Sequence, residues 1–155
     1  TVQCEVADRL TAKPPRMSLL AVSVQYYGTV RLVGAVKAGA FWPRPEVDSA
    51  MIRIDVERRA STDDTDFTDE DSLQSVSSVK SVDSSASEAA FFRVVRAGFG
   101  EKRKQLKNNL RRLGLNDEAI AAALEGTGID GRRRAETLDI EEWENLVSTL
   151  GAHLP

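Results

Sequence analysis

Two groups of residues in this chain have the types and spacing to do chemistry. The first lies in "AFWPRPEVDSAMIRID", residues 40–55, where Phe41 and Trp42 sit on a Pro-x-Pro turn. Proline fixes its own φ at about −65° and pushes the residue before it towards extended backbone. Trp42 and Arg44 each precede a proline, so residues 42–45 have little freedom. A ring held still on such a turn can stack on a flat ligand; the same two rings could instead fill core at the entry to a strand. The second group is basic. From Arg93 to Arg112 the cations are Arg93, Arg96, Lys102, Arg103, Lys104, Lys107, Arg111 and Arg112, against Glu101 alone. Lys104, Lys107 and Arg111 are spaced i, i+3 and i+7, which predicts one shared helix face, with Arg103 a neighbour of Lys107. Like charges on one face repel by about 0.2–0.5 kcal/mol per pair. A phosphate backbone relieves that repulsion and releases counterions, so the pattern predicts salt-dependent contact with nucleic acid.

The elements that must position these groups fall into three stretches. In residues 1–59, Val2, Val6, Ala7 and Leu10 recur at helical spacing, and "TAKPPR" breaks that helix. "SLLAVSVQYYG" fits either a strand or a buried helix ending at Gly28, "TVRLVGAV" reads as a strand, and Val47–Val56 as another. Residues 60–88 are rich in Ser, Asp and Thr, with Phe67 their one aromatic and Lys80 their one basic residue. That composition cannot offset the cost of ordering a backbone, so a disordered insert is expected, either a solvated spacer or an acidic tether competing with RNA. Residues 89–155 read as helical. Phe91, Phe92, Val94, Val95 and Phe99 begin an apolar face that Leu106, Leu110 and Leu113 continue. Asn116 is the expected cap of a helix ending at Gly126, and Asp139 with Glu142 has the spacing of a capping box for a helix ending at Gly151. Four helices in this stretch suggest a small bundle.

Composition sets the outer limits. The chain has 155 residues, is 41% hydrophobic and carries a formal charge of −3. The average argues against a nucleic-acid binder only until the acidic stretch and the basic stretch are counted separately. Cys4 is the single cysteine, which rules out an internal disulfide framework and points to a reducing, cytoplasmic setting. No run is long enough to cross a bilayer and no signal-peptide layout is present, so a membrane partner is not expected. The chain starts at Thr1 inside an amphipathic pattern and reads as a piece of something longer.

Five stretches together resemble one family. "VQCEVADRLTAKP", "VSVQYYG", "AFWPRPEVDSAMIRI", "FGEKRKQLKNNL" and "GIDGRRRAETLDIEEW" occur in the order of the bacterial 16S rRNA adenine dimethyltransferases, the KsgA/RsmA family. The aromatic-x-Pro-x-Pro-x-Val-Asp-Ser run and the Arg-Lys-x-x-x-Asn-x-Leu run carry most of the specificity. The resemblance covers the chain outside the Ser/Asp insert.

The resemblance implies an α/β fragment, the last strands and helices of a Rossmann-like catalytic domain (residues 1–59), followed after the insert by a small all-α bundle that binds RNA (residues 89–155). It implies an S-adenosylmethionine-dependent enzyme that dimethylates two adjacent adenines near the 3′ end of 16S rRNA. The partner it implies is the small ribosomal subunit, met by a monomer. Phe41 matches the ring that packs on the flipped target adenine, Trp42 then being structural, and Arg103, Lys104, Lys107, Arg111 and Arg112 form the RNA grip. Cys4 stands where lysine is common, and Met17-Ser18 replaces an expected Tyr-Gly. The chain has no Gly-x-Gly turn after a strand and no Asn-Leu-Pro-Tyr motif. No catalytic, cofactor-binding or metal-binding residue is therefore assigned in it, and alone it is expected to be inactive and to bind no S-adenosylmethionine. Asp48 is expected to serve the turn by accepting backbone N–H groups, and His153 to be a solvated tail residue. Two other readings stand beside this one: a stand-alone, non-catalytic rRNA-binding or assembly module, and a 23S rRNA adenine methyltransferase. The "VQCEVADRL" stretch and the Arg-Lys run favour the small-subunit enzyme over the latter.

Overall fold

The strand signals at 28–36 and 49–56 become one hairpin. The computed structural model describes residues 1–56 and 81–151. Strands β2 (Gly28–Val36) and β3 (Ser49–Val56) pair antiparallel from Gly28↔Val56 to Val36↔Ser49, with an irregularity between Leu32 and Gly34. A third strand, β1 (Val2–Gln3), pairs antiparallel with the start of β3, giving the order β1-β3-β2. Only glycine fits at position 28, because a Cβ there would stand 2.2 Å from the Asp55 carbonyl oxygen. The strand expected from Val47 begins two residues later, at Ser49. Leu32, Val33, Met51, Ile54 and Val56 are all exposed on this sheet.

The first helix starts later than its apolar spacing predicts. Val2 belongs to β1, and α1 covers Cys4–Leu10. The sheet captures the first residues: Gln3 is extended, and the Cys4 N–H donates to the Asp48 carbonyl at 3.1 Å. Helix α2 (Leu19–Gln25) settles the ambiguous "SLLAVSVQYYG" run as helix. Ser18 decides it locally, its Oγ accepting the Ala21 N–H at 3.1 Å as an N-cap. Gln25 then ties the two helices together by donating to the carbonyls of Leu10 (2.8 Å) and Ala12 (2.9 Å).

Helix α3 (Ser81–Gly98) begins inside the stretch expected to be disordered up to residue 88. Ser and Asp are favoured at helix starts, and the Ala/Phe-rich sequence that follows sustains the helix. The earlier part of that stretch, with Phe67 and Lys80, and the terminal His153 lie outside the described residues. Short helix α4 (Leu106–Leu110), α5 (Asp117–Gly126) and α6 (Ile140–Gly151) complete a mixed α/β fold with six helices and three strands among the described residues. Both expected caps form. Asn116 Oδ1 accepts the Ala119 N–H at 2.7 Å. Asp139 Oδ1 accepts the Glu142 N–H at 2.8 Å while Glu142 Oε2 accepts the Asp139 N–H at 3.0 Å, a complete capping box.

One core runs through α2 and all four later helices, so the strand-bearing and helical stretches are packed as a unit. Tyr26 stacks on Phe91 with ring centroids 4.0 Å apart, and the Met17 N–H donates to the Glu136 carbonyl at 2.9 Å. Tyr27 donates its phenol to Glu88 at 2.6 Å, which pushes its pKa up to about 12. Trp143 is fully buried beside Phe99 and over Gly98, where a Cβ would meet its ring at 2.4 Å. Asn109 is the buried polar side chain among the described residues, 2% exposed. Its amide donates to the Gly98 carbonyl (2.6 Å) and the Glu101 carbonyl (3.0 Å), closing the turn from α3 to α4.

Asn109→Ala should leave those two carbonyls without their donor and cost about 1–3 kcal/mol. The midpoint of denaturant unfolding reads it; an unchanged midpoint would show that the turn closes unaided. Glu142→Gln should cost about 1 kcal/mol at neutral pH by removing the charge that Arg133 and the cap share. Arg133 holds the Glu142 carboxyl below its ordinary 4.5, so this contribution is present above that pH and lost as pH falls through the lower folded value. Melting temperatures of the wild type and E142Q should thus converge in acid, whereas a constant gap would exonerate the charge.

Candidate nucleic-acid interface

The loop between β2 and β3 is fastened at its base by Asp48. Its Oδ1 accepts the Ala38 N–H at 2.9 Å and its Oδ2 accepts from Lys37 Nζ at 2.7 Å. Those bonds hold the Asp48 carboxyl below the usual carboxylate range and push the Lys37 ammonium up, the ion pair being the main cause of each. Asp48 therefore closes the loop, as the sequence leads one to expect of a residue at strand entry. A short 3₁₀ turn, Ala38–Ala40, leads into Phe41, which is extended (φ −113°, ψ 150°) and 36% exposed. The ring is half covered, with surface left to meet a ligand. Trp42 differs from the expectation. It is 97% exposed and fills no core, and nothing among the described residues lies over the indole.

The basic stretch is also arranged otherwise than its spacing predicts. Helix α4 has five residues, so Lys104, Lys107 and Arg111 do not share one helical face. Arg103 and Lys104 precede the helix in a turn, and Arg111 and Arg112 follow it in a 3₁₀ turn, Arg111–Leu113. Two constraints shorten the helix. Gln105 is extended (φ −67°, ψ 150°), and Asn109 holds the preceding carbonyls of Gly98 and Glu101. The cations differ as well in what they face. Arg111 makes a two-bond fork to Asp117 (2.8 and 2.6 Å), which lowers the Asp117 pKa, and Arg112 lies 3.7 Å from Glu101. Arg103, Lys104 and Lys107 are without an ion pair among the described residues.

A second basic segment backs this turn, and the charge count along the chain misses it. The Leu106 N–H donates to the Arg133 carbonyl (2.8 Å) and the Lys107 N–H to the Gly131 carbonyl (3.1 Å). Lys107 lies over Gly131, where a Cβ would come within 3.2 Å of the lysine Cβ. Exposed Arg132 is thereby brought near Lys107, while Arg133 turns inwards to Glu142 and Thr137 and exposed Arg134 lies 3.7 Å from Glu136. The signal was the "GRRR" run, but nothing local says that it folds against residues 103–107. Phe41 stands apart, on the sheet loop, and makes no ring contact with other aromatics among the described residues. No group of three His, Cys, Asp or Glu residues suited to a metal ion occurs among the described residues. No helix there is long and apolar enough to cross a membrane.

Comparison with known proteins is consistent from three directions. The family described as "Ribosomal RNA adenine dimethylase" matches residues 1–76. Ribosomal RNA small subunit methyltransferase A of Dehalococcoides mccartyi (strain CBDB1) is 41% identical over 146 residues, spanning 94% of this chain and 43% of the relative. The protein of that name from Clostridium botulinum (strain Kyoto / Type A2) is 38% identical over 149 residues, spanning 94% of this chain and 46% of the relative. The chain thus spans less than half the length of these relatives. In fold it is similar to a dimethyladenosine transferase from Plasmodium falciparum (TM-score 0.68, 19% identity, 97% of this chain and 55% of that one). It is also similar to the 23S rRNA methyltransferase ErmE (TM-score 0.61, 23% identity, 96% and 52%). With the Phe41 loop, the Arg-Lys turn and identities near two-fifths along almost the whole sequence, the chain belongs to the ribosomal RNA adenine dimethylase family.

Proposed function

We propose that this chain forms part of an S-adenosylmethionine-dependent rRNA methyltransferase that dimethylates two adjacent adenines near the 3′ end of 16S rRNA. Its share is to wall in the target base and to grip the RNA. The observation that carries this reading is the pairing of a rigid, half-exposed Phe41 loop with a turn of unpaired cations, in a chain 41% identical to a small-subunit methyltransferase.

Base methylation needs the amine in line with the activated methyl, and this is a matter of positioning and water exclusion more than of proton transfer. Phe41 offers an apolar face on a loop whose base is tied by Asp48, so little freedom is lost when an adenine stacks on it. Arg103, Lys104 and Lys107, with Arg132 beside them, serve as phosphate contacts, the way structured RNA is chiefly held. Arg111 and Arg112, the other members of the expected grip, would have to leave Asp117 and Glu101 to join them, and so contribute less. The described residues offer no fit for S-adenosylmethionine. The strands of this chain form an antiparallel hairpin, and none among the described residues passes through a glycine-rich turn into a helix N-terminus. Its work is therefore confined to substrate. The exposed Leu32, Val33, Met51, Ile54 and Val56 suit strands of a larger Rossmann-like sheet, whose other elements would cover them.

Lys104→Glu with Lys107→Glu should weaken binding to a 16S 3′-end fragment at least tenfold. The double change should also flatten the dependence of log K on log salt by about one unit per residue. An unaltered salt slope would remove this turn from the interface, and equal affinity for a 23S fragment would remove the small-subunit preference. In a full-length enzyme bearing this sequence, Phe41→Ala should slow methylation about ten- to a hundredfold while leaving rRNA affinity near the wild-type value. Unchanged turnover would exclude Phe41 from the site.

A further inference from the structure

Trp42 is used by neither the core nor the reading above, and its setting points to a task of its own. Its indole is 97% exposed, next to Phe41 on the turn that Pro43 and Pro45 stiffen. The two rings make no ring contact with each other among the described residues. Arg44 follows, exposed and without an ion pair among the described residues. Its charge is felt by Asp48 at the loop base, yet the side chain stays open to solvent. An exposed ring beside an exposed cation is the combination that binds unpaired nucleotides, the ring taking a base and the cation a phosphate.

We propose that Trp42 is a second stacking platform, which holds the nucleotide adjoining the swung-out adenine and confines the site to unpaired RNA. The inference rests on the assignment of Phe41 to the target base. Extruding one base breaks its stacking with both neighbours. A second ring one residue along replaces part of that lost stacking, and Arg44 fixes the phosphate between. Because prolines already hold the backbone, docking a base on the indole orders little besides the side chain.

The chain holds two tryptophans, and Trp143 is fully buried, so a quencher reaching the surface reports on Trp42. The experiment titrates the chain with a short single-stranded RNA bearing two adjacent adenines and, separately, with the same strand annealed to its complement. Tryptophan emission should be quenched by the single strand and unaffected by the duplex. Trp42→Phe should still bind while losing the quench. Trp42→Ala should bind about five- to tenfold more weakly with the salt slope unchanged, since stacking releases no counterions, in contrast to the Lys104/Lys107 variant. Unquenched emission in the bound state, or equal affinity of W42A, overturns the proposal while leaving the phosphate grip standing. Failure of the wild type to bind any RNA overturns both.

Discussion

The start of α4 and the basic run that backs it are placed through Arg133. Its guanidinium forks onto both carboxylate oxygens of Glu142 and also reaches the Thr137 hydroxyl and carbonyl. Glu142 is at the same time half of the capping box that starts α6. The backbone of Arg133 accepts the Leu106 N–H, which fixes the start of α4. One residue therefore couples the entry of α6, the turn Ala135–Thr137 and the helix that carries Lys107. Arginine suits this place and lysine would not, because only a planar fork satisfies a carboxylate and a carbonyl together. The same bonds turn Arg133 inwards, so that Arg132 and Arg134 on either side face solvent.

The sheet loop is built on the same logic with a single carboxylate. Asp48 takes the Ala38 N–H and the Lys37 ammonium through its side chain, while its carbonyl takes the Cys4 N–H. The loop ends and β1 are held by one residue, and the rings at 41 and 42 ride on a closed base. Both parts of the interface thus use polar bonds to immobilise backbone, and leave Phe41, Arg103, Lys104 and Lys107 without an ion pair or ring contact among the described residues. Binding then costs little internal rearrangement.

Much of this scaffold was legible in the sequence because it is local. The caps at Asn116 and Asp139/Glu142 depend on residues three positions apart, and the β2 and β3 strands and the backbone-binding role of Asp48 on one hairpin and its loop. What could not be read depends on contacts across the chain. The i, i+3, i+7 spacing of Lys104, Lys107 and Arg111 describes a helical face only if one helix covers all three, and α4 begins at Leu106, after the turn whose Gly98 and Glu101 carbonyls Asn109 holds. The proximity of the "GRRR" run to Lys107 has the same origin, in backbone bonds spanning more than twenty residues. Trp42 misleads in the opposite direction: its type predicts burial, and it stands in water.

Net charge is the weakest guide to this molecule, and the pairing of its charges explains why. Arg111 and Arg112 count as much as Lys104 in any sum, yet Asp117 and Glu101 answer them at 2.6 and 3.7 Å. Such exposed pairs add little to stability, so their value lies in orienting the turn that follows α4. A phosphate approaching Arg111 must first compete with a carboxylate already in two-bond contact, whereas one approaching Arg103 or Lys104 displaces only water and counterions. The affinity of this surface therefore follows its unpaired cations alone. Those cations are the ones fixed by Asn109 and Arg133, which makes two inward-facing polar side chains the source of the outward-facing field.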